Sequence, residues 1–183
     1  MKDNKVLKLA FVLFVICAVT AGVLGVVNAL TYQRIYDMAH AKEFEAYAVV
    51  LKSDSGYAEV EFEEEGFPTV DSIMVSNDGN GHVVKSTFSG AQGNITMVVG
   101  VDNDLKCTGI SIIEHSETSG LGAVAAASSL AGEAFRAQFI GQDGSIALSK
   151  NGGAIDALAG ATITSTAVTN AVATSIAAVD SVN

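Results

Sequence analysis

The spacing of apolar and polar residues divides the chain into three textures. Residues 9–30, LAFVLFVICAVTAGVLGVVNAL, carry no charge, and the uncharged run continues to Gln33 before Arg34. A helix of that length rises about 33 Å, against a hydrocarbon core of about 30 Å, so the pattern predicts a transmembrane helix over residues 9–31. The small-x-small string Val27-Asn28-Ala29 offers a signal-peptide reading. The apolar part of a signal peptide runs only about 7–15 residues, and the longer run favours a retained span. Residues 32–51 lack Pro and Gly and place Ile35, Met38, Tyr47 and Val50/Leu51 at approximate helical spacing. They predict a juxtamembrane helix that lifts the rest of the chain off the bilayer, with Tyr32 and Tyr36 near the headgroups. The acidic run that follows, with Glu59, Glu61, Glu63, Glu64 and Glu65, reads as a solvated face or loop and completes a linker over residues 32–70.

From Asp71 the period shortens to that of strands. VDSIMVS, HVVKSTF, ITMVVGV and KCTGISIIEH alternate or run apolar and are separated by the turn sequences NDGNG, SGAQGN and DNDL. The last two strands with DNDL make the clearest hairpin. Asp102 and Asp104 in that turn lack the Glu expected at the twelfth position of a calcium loop. Residues 123–139 then predict a helix with Leu130, Ala134, Phe135 and Phe139 on one side. A loop with one short strand-like patch, GQDGSIALSKNGGA, leads to a last helix from about Thr164 to Val179, whose Val168, Val172, Ile176 and Val179 form a packing face. Strands in succession followed by segregated helices predict an α+β domain over residues 71–183, a mostly antiparallel sheet packed by helices.

Composition and charge narrow the functional classes. Of 183 residues 49% are hydrophobic, and the net charge of −10 excludes the basic patch that nucleic-acid binding requires. Lys2, Lys5 and Lys8 precede the span and the acidic bulk follows it, which puts residues 1–8 in the cytoplasm and the domain on the extracytoplasmic side, single-pass. One of the two cysteines, Cys17, falls inside the span, so Cys107 has no intrachain disulfide partner. His40, His82 and His115 are scattered and show no metal-ligand spacing, so no metal is expected. Hydroxyls abound without a Ser/His/Asp constellation, so no catalytic residue is assigned. A pilin-like reading fails because the span contains no glutamate near its start.

Two short motifs remain. In Glu117-Thr118-Ser119-Gly120-Leu121-Gly122, glycines flank Leu121, either as a plain strand-to-helix turn or as a loop whose backbone can approach a ligand closely. In Asp156-Ala157-Leu158-Ala159-Gly160-Ala161-Thr162 and the Thr164, Ser165 and Thr166 that follow, a small-residue turn opens a helix. Thr164 or Ser165 is expected to cap that helix, and its free N–H groups and positive dipole end can hold a phosphate.

Together with one N-terminal span, these motifs resemble the covalent FMN-binding domain of the G subunit of the Rnf ferredoxin–NAD electron-transport complex and its relative, the C subunit of the sodium-pumping NADH–quinone reductase. The similarity covers nearly the whole chain, and the short domain is closer to the Rnf protein. The family motifs read E-T-P-G-L-G and D-x-x-(S/T)-G-A-T. Glu117, Thr118, Gly120, Leu121 and Gly122 match the first, with Ser119 where proline is usual; Asp156, Gly160, Ala161 and Thr162 match the second, with Ala159 in place of a hydroxyl residue. The resemblance implies FMN attached to Thr162 through a phosphoester bond, with Leu121 against the flavin ring and Thr164 or Ser165 hydrogen-bonding the phosphate. It implies that Asp156 serves recognition by a flavin transferase. It further implies a membrane-anchored electron-transfer subunit, with multi-span and iron–sulfur subunits as partners, in a translocase coupling ferredoxin–NAD electron flow to ion transport. An FMN-bearing extracytoplasmic carrier or sensor outside an ion pump is one alternative, and the C subunit of the sodium-pumping NADH–quinone reductase is a second.

Overall fold

The computed structural model describes residues 3–182, apart from the side chains of residues 3–7, 9 and 33–40. The expected placing of Lys2 and Lys5, and of Ile35, Tyr36 and Met38, lies outside the described residues. The chain divides into two compact units, Met1–Lys42 and Glu43–Asn183. Helix α1 spans Asp3–Val50, so the membrane and juxtamembrane helices expected as two elements are one. Within it Ala10–Tyr32 is apolar and long enough to cross a membrane, and none of that stretch is buried.

The second unit is built on a five-stranded antiparallel meander in the order β1-β2-β3-β4-β5. The strands are β1 (Tyr57–Val60), β2 (Val70–Ser76), β3 (His82–Ser89), β4 (Asn94–Val101) and β5 (Cys107–His115). The four strands expected from the sequence fall where the alternation put them. The acidic linker is corrected: it supplies the edge strand β1, which pairs Tyr57 with Ser76 through Val60 with Ile73. Its period-2 signal is only four residues long and is hidden among glutamates.

Both faces of the sheet are covered, which explains why β3 and β4 read as nearly continuous apolar runs. On one face Ile73, Val84, Met97, Val99 and Val101 pack against Val168, Val172, Ile176 and Val179 of helix α3 (Thr162–Val182), as its spacing predicted. On the other, Val83 and Val98 pack against Ala46, Tyr47, Val50 and Leu51 at the end of α1. Cys107 is buried in the first of these cores, and burial pushes its thiol up to about 12. α3 is apolar and long enough to pass as a span, but more than half of its apolar window is buried, as befits a core helix.

The end of α1 is held by groups that satisfy its orphan carbonyls. Thr108 Oγ1 donates to the Val50 carbonyl, and the Tyr57 hydroxyl donates to that of Leu51. Lys85 pairs with Glu43 at 2.8 Å, and Tyr47 sets its ring edge-on to Tyr57. Gly100 makes the close approach possible, since a Cβ there would lie 2.5 Å from the Val50 oxygen and 2.2 Å from Thr108 Oγ1.

The helix expected over residues 123–139 is shorter. A 3₁₀ turn, Gly122–Ala125, is followed by helix α2 (Leu130–Ala137). Ser129 caps α2 by accepting from the Gly132 N–H at 3.2 Å. Arg136 Nη1 donates to the carbonyls of Ala125 at 2.6 Å and Ala127 at 3.1 Å, the oxygens a continuous helix would have given to its own N–H groups. As a result Phe135 and Phe139 are buried as expected, whereas Leu130 is 88% exposed and Ala134 faces outward.

The contrast between two glycines tests this packing. Gly100→Ala is expected to lower stability by about 1–3 kcal/mol, because the Val50 backbone as well as Thr108 Oγ1 occupies the space. Gly109→Ala, whose Cβ would meet Val50 Cα at 3.5 Å, is expected to be tolerated, and chemical denaturation of the full chain in detergent distinguishes the two.

Candidate functional site: a groove between two glycine turns

The two motifs fold into the same local device. In the first, the Leu121 N–H donates to the Thr118 carbonyl at 3.1 Å and Gly120 sits at φ +77°. In the second, the Ala161 N–H donates to the Leu158 carbonyl at 3.0 Å and Gly160 sits at φ +72°. Each is a β-turn whose third position needs the left-handed backbone that glycine adopts freely. Ser119 and Ala159 occupy the second position of their turns. The turns meet: a Cβ on Gly160 would lie 3.0 Å from Leu121 Cδ2.

Between them lies a groove of about 300 Å³. Thr118, Leu121 and Gly122 line one side, Gly160, Ala161, Thr162, Ile163 and Thr164 the other, with Glu117, Ala91 and Gln92 completing it. The expected site residues therefore converge, except that Gly120, Asp156 and Ser165 are not among the lining residues. Asp156 is exposed, and its backbone is bracketed by Gln138, whose Oε1 accepts from the Asp156 N–H at 2.7 Å.

The hydroxyl cluster is sorted by its hydrogen bonds. Helix α3 begins at Thr162, with the Ser165 N–H bonding the Ala161 carbonyl at 2.9 Å. The expected capping by Thr164 or Ser165 is corrected. Ser165 Oγ accepts from the Leu158 N–H at 3.0 Å and donates to the Ala161 carbonyl, tying the preceding turn to the helix. Thr164 Oγ1 donates to Glu117 Oε2, and Thr166 Oγ1 donates back to the Thr162 carbonyl at 2.7 Å. Thr162 is exposed at the first helical position, and its hydroxyl has no hydrogen-bond partner among the described residues. The N–H groups of Thr162, Ile163 and Thr164 are the orphan donors of the helix start.

Glu117 does something that its place in the motif did not reveal. Its carboxylate is buried, and Oε1 accepts from the N–H groups of Ala91 at 2.8 Å and Gln92 at 3.0 Å in the β3–β4 turn, while Oε2 accepts from Thr164. Burial pushes its pKa up, but the bonds from Thr164, Gln92 and Ala91, with the nearby His115, outweigh this and hold it below the ordinary carboxylate value. The contribution of Ala91 and Gln92 was not readable in the sequence, where SGAQGN is only a turn. The glycine at position 90 is its one trace, because a Cβ there would lie 2.4 Å from Glu117 Oε1. Among the described residues no group of three or more His, Cys, Asp or Glu could hold a metal ion.

Comparison with known proteins places this geometry. The FMN-binding domain family matches residues 90–177, the segment that contains the whole groove. The G subunit of the ion-translocating oxidoreductase complex of Methanosarcina acetivorans is 33% identical over 180 residues, covering 93% of both chains. The chain belongs to this family of G subunits. The G subunit of the Na(+)-translocating ferredoxin:NAD(+) oxidoreductase complex of Acetobacterium woodii is 32% identical over 188 residues, covering 93% of this chain and 90% of the relative. The G subunit of the ion-translocating oxidoreductase complex of Aliivibrio fischeri strain MJ11 is 40% identical over 86 residues, 45% of this chain and 41% of the relative.

Two measurements follow from the groove of this family member. Ser119→Pro is expected to raise stability by about 0.4–1 kcal/mol in thermal melts, because proline presets the second position of the turn and costs the unfolded chain entropy. The Glu117 bonds stabilise the folded state fully above the unfolded carboxylate pKa and are lost as pH falls through the lower folded value. Amide exchange at Ala91 and Gln92, corrected for its intrinsic pH dependence, should therefore lose protection only in that acid window and stay constant between about pH 5 and 8.

Proposed function

We propose that this protein is an electron-transfer subunit of a membrane-bound, ion-translocating ferredoxin–NAD oxidoreductase complex and that it carries FMN covalently on Thr162. The observation that carries the reading is the exposed, unengaged hydroxyl of Thr162 at the first position of α3, in a groove formed by both family motifs, in a chain that aligns along 93% of its length with the G subunits of such complexes.

The residues fit such a group. Thr162 Oγ1 is exposed, and Ala159, Gly160 and Ala161 leave room beside it for a transferase to deliver a flavin pyrophosphate. On attachment the threonine oxygen would form the new P–O bond as the pyrophosphate bridge broke, with adenylate as the leaving group and the hydroxyl proton passing to the transferase. The N–H groups of Thr162, Ile163 and Thr164, at the positive end of α3, would balance the remaining phosphodiester charge. Leu121 and Ile163, 44% and 65% exposed at the groove, offer apolar surface to the ring. Asp156 lies on the outer surface, where a transferase can read it. When bound, FMN supplies one- and two-electron redox chemistry; the chain supplies its tether, its orientation and its surroundings.

A covalent tether suits a domain on the extracytoplasmic side, because the cofactor's effective concentration no longer depends on the medium. The single span over Ala10–Tyr32, with the N-terminus in the cytoplasm, would hold the domain beside membrane and iron–sulfur partners. No complete active site is expected in this chain alone.

Co-expression with a flavin transferase tests the assignment. The wild-type chain should gain about 438 Da, an FMN less water, and fluoresce under ultraviolet light after denaturing electrophoresis, while Thr162→Ala should do neither. An unmodified wild-type chain, or a labelled Thr162→Ala chain, refutes it.

A further inference from the structure

The groove contains a buried carboxylate that the attachment chemistry does not use. Glu117 is 8% exposed, and its oxygens accept three hydrogen bonds from residues 25, 26 and 47 positions away in sequence. Burying an ion among neutral donors costs more than packing an apolar side chain of similar size. What the ion provides is direction, because each of its bonds has a required angle and a fixed origin.

The surrounding backbone is shaped around it. A Cβ on Gly90 would come within 2.4 Å of Oε1, and one on Gly122 within 2.2 Å of Oε2 and 2.6 Å of Thr164 Oγ1. Three segments thus close on one carboxylate: the β3–β4 turn, the Gly-Leu-Gly loop and the first turn of α3. All three contribute to the groove.

We infer that Glu117 is the positioning residue of the flavin site, acting through Thr164 rather than by touching the flavin or its phosphate. This rests on the reading of Thr162 as the attachment point. Thr162 and Thr164 belong to the same helical turn, in which fixing the third residue fixes the first. The Glu117–Thr164 bond therefore sets the direction in which the Thr162 hydroxyl and the orphan N–H groups enter the groove. The Ala91 and Gln92 bonds prevent the carboxylate itself from turning. A hydroxyl misplaced by an ångström loses the in-line approach that phosphoryl transfer requires.

The test compares two buried threonines on the same helix in the full chain, co-expressed with the transferase. Thr164→Val removes the bond to Glu117. Thr169→Val removes an equally buried hydroxyl that donates to the Ser165 carbonyl at 2.8 Å and is not among the groove-lining residues. The initial rate of FMN attachment is expected to fall roughly tenfold to a hundredfold in Thr164→Val, the scale of a small misplacement, and to recover in Thr164→Ser. Thr169→Val should attach at the wild-type rate. Attachment by Thr164→Val at the wild-type rate, or losses in both valine variants that track their melting temperatures, overturns the inference. Amide exchange gives a readout independent of flavin. In Glu117→Gln, Ala91, Gln92 and Ser165, whose N–H makes the first backbone bond of α3, should lose protection together, while the β2–β3 pairing keeps it. Uncoupled exchange of the two segments overturns the inference. If the wild-type chain takes up no FMN at all, the attachment reading falls and the exchange result alone decides whether Glu117 couples these segments.

Discussion

A carboxylate can be buried in a protein only if donors meet it, and in this chain the donors for Glu117 come from segments about seventy residues apart in sequence. Ala91 and Gln92 belong to a turn in the middle of the sheet, and Thr164 to the first turn of the last helix. Neither segment has a local reason to lie beside the other. The cost of leaving the ion unsatisfied favours their meeting. The groove is the space left between segments gathered in this way. Its shape therefore depends on the tertiary fold and not on either motif alone.

The sheet supplies the rigid side of this arrangement. β4 is largely buried and pairs along its whole length with β3 and from Ile95 to Val101 with β5, so the β3–β4 turn is anchored at its base. One face carries α3, which delivers Thr162 and Thr164; the other carries the end of α1, seated where Gly100 lets helix and strand backbones touch. Placing a hydroxyl at the start of a packed core helix gives it the precision of the core while leaving it in solvent. The positive end of α3 also favours an anionic group at that position.

The strands were legible because their periodicity is local and each turn sequence marks its own boundary. The short strand β1 was not, because four residues amid glutamates carry too little pattern to outweigh an acidic composition. The 123–139 segment misled for a different reason. Its alanines suit a helix, but Ser129 ends one run and caps another, and Arg136 takes the carbonyls between them. Such competition from a side chain nine or more residues away leaves no mark in helical spacing. In the site, both glycine turns were readable from their own residues, whereas Ala91 and Gln92, which act through backbone N–H groups, have no side-chain signature.

The sequence alone determined that a long apolar helix precedes an α+β domain and that two glycine turns lie some forty residues apart, because those properties arise from neighbours along the chain. It left four hydroxyls near the second turn without a means of choosing among them. The tertiary structure made that choice. Ser165 closes onto its own turn, Thr166 returns to the backbone, and Thr164 is drawn to a carboxylate 47 residues away. Thr162 stays open to solvent at the first helical position, while the partners of Ser165 and Thr166 are local and that of Thr164 exists only once the loop and the helix have packed together.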